Sequence, residues 1–594
     1  MQRKRRNVML YILDKPFVSY KTETDGNAVS ETAKGVFADY AEKIWGVKET
    51  ENGEFTVGFS SDMSEPDKIG ISIDDGRISF GGSKRGVIYA VYEFLEKFLG
   101  VGFYAPDCEV LPKGDISLHK TDYRYAPVAV YRQYLGKSDG DDVNAMKHKL
   151  NGKFWGVHHF TPAQGGGYEF AGVPAHSLTG EYLLKTYTES HPEFFSLVNG
   201  KRITDWKGQV CATNAEALKA TVYEVKKLLK DNPDKYMVSV SQGDNGNFCQ
   251  CEKCKKEIEK YGLSTYYMKF VNEVAKEVKK DYPDVFVHTF AYWSLSEPPK
   301  IELSDNIMVQ YCNGSCYSHR IDDPTCERNR LTYKGIKEWS KACKSIMCWD
   351  YLNTFVFQLL PLPEFDILKD RYRFMAENNF RGFFAEADHR DSDGWAAFPE
   401  LRCYLTSALM WNPFMSDEEY FSRMDNFLNA YYGAGGSDVR TVIDLWDKES
   451  DGEHLVYDGY PTSEKFAPGI DANGNHTVAN VIPPERHDRI MKQILSLISS
   501  AYEKAESEEQ RSRVERLSAC FIWYDLYKTM EKTLESGTEE EKRAVLSRNA
   551  RLVEIIKKYK LKLTFWGITI DMQLEEMERD DYASLPPNRW NYKW

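Results

Sequence analysis

Residues Tyr236–Cys254, YMVSVSQGDNGNFCQCEKC, decide how this chain is read. Met237, Val238 and Val240 belong to an apolar strand that runs into a glycine-bracketed polar corner holding Asp244 and Asn245, and three cysteines follow. A strand that ends in a carboxylate is where barrel enzymes keep their chemistry. Upstream, Thr213 and Glu216 stand at capping-box spacing ahead of Leu218, Val222, Val225 and Leu229, which recur at helical intervals. Downstream, Ser264 can cap a helix whose Tyr267, Phe270, Val271, Val274 and Val278 share one face. The order is helix, strand, helix, with the carboxylate at the strand's C-terminal end.

Around this unit, residues 125–412 offer eight strand candidates, mostly separated by helices. They are Val128–Leu135, Trp155–Phe160 or Val173–Leu178, Gln209–Thr213, Met237–Asp244, Val285–Tyr292, Ile307–Tyr311, Ile346–Leu352 and Phe383–Ala387. That count predicts an α/β chain built on a (β/α)8, TIM-like barrel. Residues 8–120 read as a small N-terminal α/β domain: a helix over Ala33–Trp45, a strand over Phe55–Phe59, and the hairpin ISIDDGRISFGG turning at Asp75-Gly76. A helix with Val87, Ala90, Val91, Phe94, Leu95 and Phe98 inward and Gly100 at its end closes that domain. Residues 413–594 read as a mainly helical region. Ser416 and Glu419 cap its first helix, Tyr432-Gly433 closes it, and a polar stretch near Asp471–His476 precedes amphipathic segments over Ile490–Ala505, Arg511–Leu534 and Lys542–Tyr559.

With 594 residues and 42% hydrophobic side chains, the chain can bury large cores. Its 90 acidic against 77 basic residues, a net charge of -13, disfavour a nucleic-acid surface, because phosphate binding needs a concentrated positive field. No membrane span is expected. Met1–Asn7 is basic, but the apolar run Val8–Leu13 is interrupted by Asp14 and Lys15 and is too short for a signal-peptide core; the expectation is a cytoplasmic protein or a chain without its native leader. The twelve cysteines include two triplets, Cys249/Cys251/Cys254 and Cys312/Cys316/Cys326. Structural zinc, disulfide staples and reduced packing thiols are all open for them, although the spacing matches no zinc finger. Cys108, Cys211, Cys343, Cys348, Cys403 and Cys520 read as single buried thiols.

Strand ends in the barrel block carry Arg132, His176, Asp244, Tyr292, Trp293, Asp350, Tyr351 and Glu386, with Trp349 and Trp395 close by. In a barrel these ends converge on one mouth. Glycoside cleavage fits it: the reaction needs an acid for the leaving oxygen, a second group to stabilise or trap the sugar cation, and aromatic faces to hold the ring. No metal or other cofactor is expected there, and the number of subunits is left open.

Several segments together resemble glycoside hydrolase family 163. They are Tyr236–Cys254, HPEFFSLVNGKR at His191–Arg202, FAYWSLSEPP at Phe290–Pro299, Cys312–Cys316, WDY at Trp349–Tyr351, and ALMWNP with the later YYGAG. The resemblance covers about residues 125–450 and implies an endo-β-N-acetylglucosaminidase acting on complex N-glycans. Arg85–Pro106 is similar to the small domain ahead of the barrel in family 20 hexosaminidases and family 67 α-glucuronidases. Family 20 enzymes carry an adjacent Asp-Glu pair after the fourth strand, where Asp orients the substrate acetamide as internal nucleophile and Glu is the acid. The matching corner here is Asp244-Asn245, and an amide donates no catalytic proton. Glu386 is therefore the first choice for the acid, because the small apolar GFFA run before it favours a neutral carboxyl, and Asp244 would orient the acetamide; the reverse assignment is also open. Asp350 is a third candidate acid, more simply a ligand for a sugar hydroxyl. Arg132, His176, Asn245, Tyr292, Trp293 and Tyr351 complete the expected substrate contacts. Two other readings stand: a carbohydrate-binding protein on a degenerate barrel, suggested by Asn245, and an α-glucuronidase-like exo-enzyme, for which Arg132 and Arg390 are the evident basic residues.

Overall fold

The computed structural model of the chain describes residues 8–61, 67–153, 158–352, 359–387, 397–451 and 480–561. Arg390, Trp395, the stretch at 471–476 and residues 155–157 of one strand candidate lie outside them. The chain divides into two compact units. In one, residues up to 133 join 138–167 and 400–431; in the other, 134–137 join 168–399 and those from 432 on.

The first unit carries the small α/β fold: β1 (Tyr20–Thr24), α1 (Ala28–Trp45), β2 (Phe55–Ser60), β3 (Ile69–Asp74), β4 (Arg77–Gly82), α2 (Gly86–Glu93) and β5 (Thr121–Tyr125), with sheet order β5-β3-β4-β2-β1. Asn27 starts α1 by accepting the Val29 N–H, and Gly46 ends it at φ +70°. Phe37 of α1 packs its ring among Phe17, Tyr20, Phe59, Phe80 and Phe94. In the β3–β4 hairpin Asp74 faces Arg77, so Asp75-Gly76 is the two-residue turn, with Gly76 at φ +69°.

Eight strands form the barrel sheet: β6 (Tyr131–Leu135), β7 (Gly152–Lys153), β8 (Tyr168–Ala171), β9 (Met237–Ser239), β10 (Phe286–Ala291), β11 (Ile307–Cys312), β12 (Ser345–Tyr351) and β13 (Phe380–Glu386). Their order is β6-β13-β12-β11-β10-β9-β8-β7, and β8 through β13 pair in parallel. The sheet nearly closes on itself: Asn151 N–H, just before β7, donates to Arg132 O of β6 at 2.9 Å.

The strand count agrees with the sequence, but two strands differ in identity. Gln209–Thr213 is not a barrel strand, because its backbone pairs locally: Ser196 N–H donates to Gln209 O and Cys211 N–H to Phe194 O, at 2.7 and 2.8 Å. Val173–Leu178 cannot extend either, since His176 holds φ +51°. The missing strands are the short β7 and β8.

Helices α3 (Ala215–Asp231), α4 (Glu252–Tyr261), α5 (Leu263–Asp281), α6 (Glu327–Ala342) and α7 (Phe365–Glu377) lie between the strands. The α3 cap is Asn214 rather than Thr213, its side chain accepting from the Glu216 and Ala217 N–H groups. Ser264 lies inside α5 and donates to Glu297 O, so Gly262 and not Ser264 precedes that helix. Helix α8 (Pro399–Trp411) precedes α9 (Asp417–Tyr432), which Ser416 caps by accepting the Glu419 N–H at 3.1 Å. The second unit ends in α10 (Gly436–Glu449), α11 (Pro484–Lys504), α12 (Glu508–Ser536) and α13 (Glu539–Tyr559), each packed on the next.

Candidate active site

Strand alternation separates the two faces of β12: Trp349 and Tyr351 face one way and Asp350 the other. The Trp349 ring lies against Phe384 of β13 and Phe290 of β10, at centroid distances of 4.7 and 5.8 Å. Its indole N–H donates to Glu386 Oε2 at 2.8 Å, which fixes the carboxyl of a side chain only 4% exposed. Tyr351 stands opposite Glu386 in the register. Beside them, burial raises the pKa of the Cys312 thiol, the charges of Glu386 and Asp244 add to the rise, and a hydrogen bond with Tyr351 opposes it.

Asp244 is exposed at the corner after β9. Gln209 moulds that corner: its Nε2 donates to Gly243 O, Asn245 O and Asn245 Oδ1 at 2.8, 2.8 and 3.0 Å, and Gly243 N–H donates back to Gln209 Oε1 at 3.0 Å. Asn245 Oδ1 also accepts the Asn247 N–H, while its Nδ2 donates to Trp206 O at 3.2 Å. Both ends of the Asn245 amide are thus engaged within the loop. Trp293, at φ +48° and 40% exposed, lies over the same corner: a Cβ on Gly246 would stand 3.3 Å from its ring. Such a backbone costs on the order of 1 kcal/mol for a residue with a side chain and recurs at functional sites. Tyr292 is buried, its ring 6.4 Å from Phe290.

His176 is half-buried, donates from Nδ1 to Gln242 O at 2.9 Å and packs 5.4 Å from Phe290. Deeper on the same face, His288 lies between Ser239 Oγ and Gln310 Oε1, at 3.3 and 2.8 Å. Desolvation lowers the His288 pKa from 6.5 to about 4, with a hydrogen bond to Gln310 opposing and the nearby His176 adding to the fall.

Asp350 and Arg132 are placed differently from the others. Asp350 is 1% exposed; it accepts from Nδ2 of Asn313, just after β11, at 2.7 Å and pairs with Arg371 of α7, which also holds Glu364 at 3.2 Å. Burial raises its pKa, against the pull of Arg371. Arg132 is fully buried in the first unit, with Nη2 on Asp67 Oδ2 at 2.7 Å, Nε on Lys149 O at 2.8 Å and the guanidinium 5.1 Å from the Trp411 ring.

Sequence reasoning passed over Gln242 and His288, and it read Cys312 only as a member of a cysteine triplet. Gln242 is 3% exposed, and neither atom of its side-chain amide is hydrogen-bonded among the described residues. A buried, unsatisfied amide at a strand end is costly unless something binds it. The available signal was polar residues in the inward register of otherwise apolar strands, as in His288 and Gln310. The cysteines also regroup. Cys211 joins Cys249, Cys251 and Cys254, while Cys316 and Cys326 meet His319 without Cys312. None of the twelve is joined in a disulfide.

No curated protein sequence matches the chain. Among solved structures it is similar in fold to a family GH115 4-O-methyl-α-glucuronidase with specificity for decorated arabinogalactans, at TM-score 0.60 and 10% identity, covering 97% of this chain and 80% of that one. A β-N-acetylhexosaminidase from Bacteroides fragilis NCTC 9343 matches at TM-score 0.40 and 13% identity over 71% of this chain and 92% of its own. A model described as a domain of unknown function, DUF4838, matches residues 103–444, more than half of the chain, and the protein belongs to that family.

Proposed function

We propose that the protein is a glycoside hydrolase that cleaves β-linked N-acetylglucosamine in glycans, acting within N-glycan chains by substrate-assisted retention. The observation that carries this reading is Glu386 at the end of β13, a buried carboxyl held by the Trp349 indole, with Asp244 at the corner after β9 as an exposed second carboxylate. Glu386 as acid gives its proton to the glycosidic oxygen as that bond breaks. The acetamide oxygen of the same sugar attacks the anomeric carbon, and Asp244 holds the acetamide N–H and balances the developing charge. Water then opens the ring so formed, with Glu386 taking its proton. The open Trp293 indole offers a sugar-stacking face, and the buried Gln242 amide offers a donor and an acceptor for an acetamide or hydroxyl.

A second reading, an α-glucuronidase-like exo-enzyme, is favoured by the similarity to the GH115 glucuronidase. A sugar acid calls for a cation at the mouth, and Arg132 is already committed to Asp67. Incubation with a biantennary N-glycoprotein, glucuronoxylan and arabinogalactan, with products read by mass spectrometry, tests the choice. Release that leaves one N-acetylglucosamine on asparagine supports the first reading, and release of a uronic acid supports the second. Binding without turnover on every substrate leaves a carbohydrate-binding protein.

A further inference from the structure

We propose that Cys211, Cys249, Cys251 and Cys254 hold a structural zinc ion that ties the Phe195–Cys211 loop to the corner after β9. Their four sulfurs lie within 4.8 Å of one another, with Cys211 Sγ 3.6 Å from Cys254 Sγ and 3.8 Å from Cys251 Sγ. Four sulfurs bound tetrahedrally at the usual zinc–thiolate length stand about 3.8 Å apart. A disulfide would need about 2.05 Å. Three of the four side chains are buried, and Cys251 is half-buried.

The surroundings favour thiolates. Leu197 N–H donates to Cys249 Sγ at 3.4 Å, and an Arg202 guanidinium nitrogen stands 3.9 Å from the same sulfur. Tyr266 O–H donates to Cys254 Sγ at 3.1 Å, and Thr213 Oγ1 is also 3.1 Å from it. Donors converging on sulfur are what the outer shell of a thiolate metal site supplies. Hard cations prefer oxygen, whereas four thiolates in this geometry select zinc or another soft ion. Binding releases the remaining thiol protons to solvent. The spacing escapes the usual patterns because Cys211 is 38 positions before Cys249. The two backbone stretches are already zipped at Gln209 and by Gln250 N–H to Leu197 O at 2.7 Å. The ion would close the other end of that zipper.

The test is elemental analysis of the full chain purified without chelator or metal resin, with cobalt replacing the native ion after metal stripping under reductant. About one zinc per chain is expected, with a thiolate-to-cobalt charge-transfer band that Cys251→Ser and Cys254→Ser abolish. Alkylation of wild-type protein followed by peptide mapping covers the case in which the variants fail to fold: these four thiols should be protected until chelator is added. Hydrogen exchange in residues 195–211 and 243–254 should rise on chelation. A protein without metal and without a cobalt band overturns the proposal, as do two disulfides mapped within the cluster. Metal lost with Cys316→Ser but kept in Cys251→Ser overturns it too, because the ion would then belong to the Cys316, His319 and Cys326 group.

Discussion

At the end of β13, the Trp349 indole fixes one oxygen of Glu386, and this makes Glu386→Gln an informative substitution because shape and hydrogen-bond acceptance persist while the transferable proton is lost. We expect a rate loss of about 10² to 10⁴ on natural glycans, much reduced on a nitrophenyl glycoside whose leaving group needs no proton. Equal losses on both substrates would make Glu386 a binding residue. His288 gives a separate prediction. Its imidazole takes a proton near pH 6.5 when unfolded and near 4 when folded, so the unfolded state binds more protons between those values and stability falls as pH falls through that window. The full effect, at about 1.4 kcal/mol per pH unit, is on the order of 3 kcal/mol. Urea unfolding at pH 7 and pH 4.5 should show a steeper acid loss in the wild type than in His288→Gln, and identical losses would remove His288 as the cause.

Between β12 and α7, one arginine balances two buried carboxylates. Arg371, Asp350 and Glu364 are each no more than 2% exposed, and the Arg371 guanidinium also lies 5.5 Å from the Tyr317 ring. Removing the cation alone leaves both negative charges in a poorly solvated layer, so Arg371→Met should cost about 3 to 5 kcal/mol in urea unfolding. Asp350→Asn should lower stability while leaving turnover per folded molecule nearly unchanged, because that side chain faces the helix. A stable, inactive Asp350→Asn protein would move the acid to β12. The same elements show what one strand's sequence can and cannot tell. Trp349-Asp350-Tyr351 alternates legibly, yet alternation does not say which face a barrel turns inward; the Phe384 and Phe290 contacts of Trp349 settle that.

Over the whole molecule, the first compact unit depends on charges distant in sequence. Arg132 pairs with Asp67, and Lys149 with Glu93 and Glu96; both cations have side chains at most 5% exposed. A chain beginning at residue 125 lacks all three carboxylates. Each unpaired buried cation costs about 3 to 5 kcal/mol against a total stability of about 5 to 15 kcal/mol, so residues 125–594 alone should fail to give a cooperative thermal transition by circular dichroism. A sharp melt near that of the full chain would contradict this. What the sequence determined by itself was whatever depends on near neighbours: the β3–β4 hairpin, the apolar faces of α1 and α5, the number of barrel strands, and carboxylates at strand ends. The tertiary structure alone decided which partner each side chain meets. Arg132 lies 65 residues from Asp67, and Cys211 lies 43 from Cys254. A one-dimensional pattern gives a residue's phase relative to its own element, whereas burial, charge pairing and metal-ligand geometry depend on the elements that fold over it.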